Sequence, residues 1–163
     1  MQLIKDNAVV ADDWQFIPRD HEGDLPAGKL LVPLEQWLAL RNDPGENRQL
    51  APWIDSDEEV EPVAEQLLDE PLVAVHFPVF MDGRGFSTGR LLRERYGFQG
   101  ELRAIGHVIR DQLFYLKRCG FNAFSLRDGT DLKAALDSLE DFSVAYQGAT
   151  DNPEPLFRRR NGE

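Results

Sequence analysis

The sequence predicts a mixed α/β fold, mostly parallel, and three observations carry that prediction. Short runs rich in Leu, Val and Ile recur along the chain, and stretches with an apolar residue at every third or fourth position separate them. From Leu72 to Gln147 the two alternate without interruption as βαβαβαβ. The run Leu72-Val73-Ala74-Val75-His76-Phe77 is almost unbroken, which suits a strand covered on both faces, as in a parallel sheet.

The elements follow in order. Gln2–Lys5, Ala8–Val10 and Trp14–Ile17 alternate weakly and break at Asp6-Asn7 and Asp12-Asp13, so they read as short antiparallel strands. Pro18 to Gly28 is polar and reads as a loop. Leu30 to Val32 is a strand, and Pro33 can open a helix that runs through Trp37 and Leu40 and stops before Pro44-Gly45. Leu50 to Ile54 is the next strand. Val60, Val63, Ala64, Leu67 and Leu68 then share one helix face, with Pro62 distorting the first turn or delaying the start. A helix from about Ser87 to Tyr96 ends at Gly97, a strand spans Leu102 to Ile105, and a helix from Val108 to Cys119 stops at Gly120. Ala123 to Leu126, a helix marked by Leu132, Ala135, Leu136 and Leu139, and a last strand from Ser143 to Gln147 complete the series.

This repeat suits a partial (β/α) barrel, with an open doubly wound sheet as the alternative and the N-terminal strands covering an edge or an end. Residues 1–148 read as one α/β domain. Within it, residues 1–28 are N-terminal strands and loop and residues 50–148 the β/α repeats; residues 149–163, with Arg158-Arg159-Arg160, are a mobile tail.

Composition excludes several classes. An apolar share of 42% is too high for a disordered chain. No run is long enough to span a membrane, and Met1 to Lys5 leads into polar residues without a signal-peptide core, so a cytoplasmic protein is expected. Its single cysteine, Cys119, cannot build a disulfide within the chain or a cysteine-rich metal centre, and buried filler is its plainest role. The net charge of -11 hides an asymmetry. Asp43 to Glu70 holds ten acidic residues against Arg48 alone, whereas Arg84 to Arg118 holds eight basic residues against three acidic ones. These are solvated helix faces or a surface for an anion or acidic partner. Nucleic acid is not expected, because the basic residues are interleaved with apolar helix positions.

In either architecture ligands belong at the carboxyl ends of the strands. That rule selects Asp55 and Ser56, Phe80 to Ser87, Gly106 and His107, Arg127 and Asp128, and Gln147 and Gly148. The densest group is Met81-Asp82-Gly83-Arg84-Gly85-Phe86-Ser87-Thr88-Gly89-Arg90. Its glycines admit backbone amides to an anion, Arg84 can fork onto an oxyanion, and Ser87 can cap a helix or bond the same anion. The plain alternative is a tight turn in which Gly83 and Gly85 supply positive φ. The spacing is neither a dinucleotide fingerprint nor a P-loop, and no cofactor is evident. His107 at a helix start, with Asp111 four residues on, is a second candidate for proton transfer or simply a polar cap. His76 reads as a core histidine, and with His21 and His107 shows no metal spacing, so no metal site is expected.

The stretches Phe80 to Ser87, Leu91-Leu92-Arg93-Glu94-Arg95, Gly100 to Gly106, Arg110 to Tyr115 and Arg118 to Phe121 together resemble a bacterial family, domain-of-unknown-function family 934 (DUF934). The resemblance covers about Leu50 to Gly148. Asp82, Gly83, Arg84, Gly85, Ser87, Arg103, Gly106, Asp111 and Gln112 match the pattern, and the chain departs from it at His107 and Asn122, where an acidic residue is common. Members carry the label "oxidoreductase probably involved in sulfite reduction". The resemblance therefore implies sulfur metabolism, with sulfite reductase subunits as candidate partners. Electrons for such a reduction need a carrier, and this chain has no cysteine set or haem-attachment motif. Two expectations follow. One is an accessory protein of assimilatory sulfite reduction that binds a small oxyanion, or a reductase subunit, through Gly83, Arg84, Gly85, Ser87 and Arg103. The other is a small barrel-like enzyme acting on an anionic metabolite with Asp82, His107 or Asp111 moving a proton. A homodimer completing a barrel across two chains is compatible with both.

Overall fold

A computed structural model describes residues 2–78, 83–127 and 129–142. The sequence-predicted strand at Ser143–Gln147, the tail 149–163 and the candidate Asp82 lie outside the described residues. Among the described residues, eight strands form one sheet: β1 (Gln2–Lys5), β2 (Ala8–Ala11), β3 (Trp14–Phe16), β4 (Gly28–Pro33), β5 (Arg48–Asp55), β6 (Leu72–Phe77), β7 (Glu101–Gly106) and β8 (Ala123–Phe124). The helices are α1 (Leu34–Leu40), α2 (Ala64–Leu67), α3 (Arg84–Arg90), α4 (Leu113–Arg118) and α5 (Leu132–Phe142). A π-helical turn, Leu91–Arg95, extends α3, and a 3-10 turn, Arg110–Gln112, precedes α4.

The strand order is β2-β1-β8-β7-β6-β5-β4-β3, and the sheet curls into a half-barrel. β3 through β8 run parallel, while β1 is antiparallel to both β2 and β8. Asp6 and Asn7 make the β1–β2 turn with φ of 50° and 63°, the left-handed pair that a tight hairpin requires. The two edge strands, β2 and β3, are consecutive in the chain, with Asp12-Asp13 alone between them. Three peptide steps reach about 11 Å at most. The sheet must therefore curl enough to bring the end of β2 and the start of β3 within that span.

This corrects the sequence reading of the N-terminus. Trp14–Phe16 is not antiparallel: it pairs parallel with β4, because the loop from Ile17 to Ala27 carries the chain back along the sheet without a helix. Two helices are shorter than their periodicity suggests. Pro62 delays α2 to Ala64, and the turn at Gly106 leaves Ile109 extended, so α4 begins only at Leu113. Gly97 and Gly120 take positive φ, 69° and 106°, at the predicted helix ends.

The convex face carries the main core. Val73, Val75 and Phe77 of β6 and Leu102 and Ala104 of β7 pack there with Trp37, Leu67, Phe86, Leu92, Leu116 and Leu139 from the helices. The alternate residues point to the concave face, where Leu31, Ala51, Trp53, Leu72, Ala74 and Ile105 form a second, smaller cluster. Along one register row lie Trp53, Ala74, Arg103, Ala123 and Lys5. Small side chains beside the large ones leave the concave side hollow rather than filled.

The opposite end, where β7 and β8 begin, is braced by Arg93. It donates to the carbonyls of Phe98 (2.7 Å), Gly100 (2.8 Å) and Gly120 (2.8 Å) and to Asn122 Oδ1 (3.1 Å). Asn122 Oδ1 also accepts from the Leu102 N–H, and its Nδ2 donates to Asp6 (3.1 Å). A carboxylate at position 122 would keep both acceptor roles and lose the donor one.

Candidate functional site

The concave face is polar low down and aromatic at the mouth. Arg103 is buried; its Nε–H donates to Glu101 Oε2 (2.6 Å) and its Nη1 to Asp12 Oδ1 (3.0 Å). Lys5 pairs with the other Glu101 oxygen at 3.0 Å. Asp12 Oδ1 also accepts the Trp14 N–H at 3.0 Å, which fixes the first residue of β3. Two cations and two carboxylates thus neutralise each other beneath the hollow.

Above them is a cavity of about 450 Å³, bounded by Trp14, Phe16 and Leu31 on one side, by Ile105, Gly106 and Ser125 on the other, and by Arg103 and His76. It opens at the carboxyl ends of β6, β7 and β8, the end where strand topology places ligands. At its rim the rings of Phe16 and His76 stack with 13° between their planes, and Trp53 lies 5.2 Å from Phe16 and 5.4 Å from His76. The indole N–H of Trp53 donates to the Ile17 carbonyl (2.9 Å), which locks that ring.

His76 Nδ1 faces Asp55 Oδ1 at 3.6 Å, an ion-pair distance just beyond hydrogen-bond reach. That nitrogen is buried and has no hydrogen-bond partner among the described residues. Asp55 is held in place by its neighbours: Oδ1 accepts the Ser56 N–H (3.0 Å), and Oδ2 meets Arg19 Nη1 at 3.5 Å. Arg19 also pairs with Glu58 at 2.7 Å and lies over Trp53. The other edge of the His76 ring packs on Gly106. A Cβ there would come within 2.9 Å of His76 Nε2 and 2.5 Å of the Phe77 carbonyl, and the backbone has φ +86°. Gly106 is therefore the residue that lets the imidazole lie flat against the strand end.

The sequence-predicted residues are dispersed. Arg103 lines this cavity. Gly83, Arg84, Gly85 and Ser87 lie on the convex side with α3, so the structure does not bring them to Arg103. Neither Gly83 nor Gly85 has positive φ. Gly85 is needed for packing instead, since a Cβ would lie 2.5 Å from the Phe77 ring, and Gly89 one turn on meets Phe121 the same way at 2.4 Å. Ser87 N–H bonds the Gly83 carbonyl, and Thr88 Oγ1 the Arg84 carbonyl. His107 is half-buried, donates its backbone N–H to the Phe77 carbonyl (2.8 Å) and precedes α4 by a turn and a half rather than starting a helix. Asp111 is exposed in a groove between α4 and α5, where Arg110 donates to Ser138 (2.8 Å). Cys119 is buried, and desolvation pushes its thiol pKa up despite Arg90 nearby.

His76, Asp12, Trp14 and Phe16 were missed by sequence reasoning as site residues. The signal was present: Leu72, Ala74 and His76 occupy one face of β6, the face opposite Val73, Val75 and Phe77. A histidine at the carboxyl end of that face belongs to the mouth, not to the helix-covered core.

Among the described residues no three metal-ligating side chains come together, and no helix is long and apolar enough to cross a membrane. Fold and cavity together define the molecule as an α/β half-barrel protein with a ligand-sized hollow at its strand ends. The chain belongs to the family described as "Bacterial protein of unknown function (DUF934)", whose model matches residues 51–157, from β5 onward. No curated protein and no solved structure matches it.

Proposed function

We propose that the protein is a small barrel-like enzyme that performs acid/base chemistry on a small metabolite held in the concave cavity, with His76 as the proton-transferring group. The observation that carries this reading is the His76–Asp55 pair at the mouth of a cavity lined by apolar rings. A carboxylate beside Nδ1 favours the tautomer that carries its proton there, leaving Nε2, which lies against the cavity-lining Gly106, to accept or return a proton. Such pairs are commonly loose before ligand arrives and tighten when it does. Apolar walls with a few convergent polar groups are the usual make-up of a small-molecule site. Soaking crystals with a library of small fragments tests the reading. Fragments are expected between Phe16 and Arg103 with an atom within hydrogen-bond distance of His76 Nε2, and His76→Gln should weaken the retained ones. Fragments that settle beside Asp111 or Arg84 and leave the strand-end cavity empty would overturn it.

A second reading, an accessory role in assimilatory sulfite reduction, is the one the sequence resemblance implies, and a groove with two arginines along α3 and the π-helical turn favours it. Ser87, Arg90, Leu91, Glu94 and Arg95 line that groove of about 340 Å³. It suits an acidic surface of a sulfite reductase subunit. Co-purification with those subunits, lost on Arg90→Glu with Arg95→Glu, is the expected result; retention of the complex in the double variant would remove this surface from consideration.

A further inference from the structure

We propose that the ligand of the strand-end cavity is a small, uncharged, planar carbonyl compound, such as an aromatic amide, a lactam or a cyclic imide, with its carbonyl oxygen on Arg103 and its ring along Trp14 and Phe16. This rests on the cavity reading above and narrows it to one chemical class.

Three observations carry it. The first is charge. Arg103 and Lys5 are matched by Glu101 and Asp12 through contacts of 2.6, 3.0 and 3.0 Å, so the base of the cavity is neutral as built. At the rim, Arg19 is outnumbered by Glu35, Asp55 and Glu58. An anion entering this space gives up its hydration for no net positive field, whereas a neutral acceptor loses far less. The second is unspent hydrogen-bonding capacity. Arg103 is only 3% exposed, and Glu101 and Asp12 occupy one N–H each. A guanidinium has about five N–H donors. The remaining ones have no acceptor among the described residues, and the side chain borders the cavity. These donors are not among the buried polar atoms left without a partner, so they reach the solvent of the cavity, and a ligand carbonyl takes the place of that water. The third is shape. Trp14 and Phe16 present flat aromatic faces from one edge strand, and Phe16 remains 43% exposed although it is stacked on His76. A ring sliding along these faces covers that exposed surface, and the cavity's size of about 450 Å³ suits a single or fused ring rather than a dinucleotide.

Benzamide and benzoate test this directly, since they share size and shape and differ in charge. Each is titrated into the full chain while the indole N–H signals of Trp14 and Trp53 and the ring signals of His76 are followed by NMR. Benzamide is expected to shift the Trp14 and His76 signals, and benzoate to bind at least about tenfold more weakly. Asp12→Asn keeps the oxygen that holds the Trp14 N–H and removes one negative charge. It is expected to raise benzoate affinity by about tenfold and to change benzamide affinity little. Equal or tighter binding of benzoate to the unmodified chain, with the same signals shifting, overturns the uncharged class while leaving the cavity as a ligand site. An Asp12→Asn variant that moves both affinities together likewise overturns the charge argument. If neither compound at millimolar concentration shifts these signals, the cavity reading falls and the ligand class with it.

Discussion

Arg93→Met keeps the apolar stem of the side chain and deletes its guanidinium, which bonds four acceptors from two separate segments at 2.7 to 3.1 Å. A hydrogen bond from a charged donor contributes about 1.5–3 kcal/mol, and a buried acceptor left empty costs about 1–3 kcal/mol. The four do not simply add. Asn122 Oδ1 keeps the Leu102 N–H, and the Phe98 and Gly100 carbonyls flank the exposed Gln99, where water can replace the lost donor. Arg93 also already bears a desolvation cost, which lowers its pKa in the folded chain. The expected net loss is about 3–5 kcal/mol, a large part of the ~5–15 kcal/mol typical of a domain. Urea unfolding followed by tryptophan fluorescence measures it. Arg95→Met is the control, since Arg95 is exposed and its guanidinium lies 5.4 Å over the Tyr96 ring, a contact expected to contribute below about 1 kcal/mol. Arg93→Lys should recover less than half, because one ammonium cannot reach all four acceptors. A loss within about 1 kcal/mol of wild type, or equal losses for Arg93→Met and Arg95→Met, would refute the bracing role.

Two further outcomes follow from the same structure. Gly106→Ala forces a side chain into positive φ and drives its Cβ onto the Phe77 carbonyl, so it should cost about 2 kcal/mol or more in urea unfolding and displace the His76 ring signals; unchanged stability and spectra would contradict the packing described. Glu70 is half-buried, and desolvation raises its carboxyl pKa above the ordinary 4.5, a rise tempered by Arg41 and Trp37. The folded chain then holds that proton more tightly than the unfolded one, so this contribution is intact below the unfolded pKa and fades as pH climbs through the folded value. Glu70→Gln should therefore raise the melting temperature at neutral pH and lose that advantage below about pH 4, and an advantage that grows on acidification would contradict the sign.

Most of the strand framework was legible because its physics is local. β6 announces itself as a run apolar on both faces, Gly97 and Gly120 mark their helix ends, and a late α2 is one of the two outcomes that Pro62 allows. The pairing of β3 was not legible, because alternation along Trp14–Phe16 says nothing about which strand lies beside it or in which direction. The glycines of α3 show the same limit: Gly83, Gly85 and Gly89 look like a loop for an anion, yet Gly85 and Gly89 are small because Phe77 and Phe121 press against them. The strand-end rule did select Asp55 and Gly106 from sequence. It passed over His76 because one polar residue in an apolar run was weighed as core, without asking which face it occupied. Asp12 was beyond reach, since its partner Arg103 is 91 residues away in the chain.

The short Asp12-Asp13 link acts like the clasp of a hoop. It ties one margin of the sheet to the other, and Asp12 uses the same carboxylate to grip the guanidinium at the centre and to fix the strand that carries Trp14 and Phe16. Girth and interior are thereby set by a single joint. Two or three glycines spliced into that joint would slacken the circumference and pull the aromatic wall away from its guanidinium, even with every helix still in its seat.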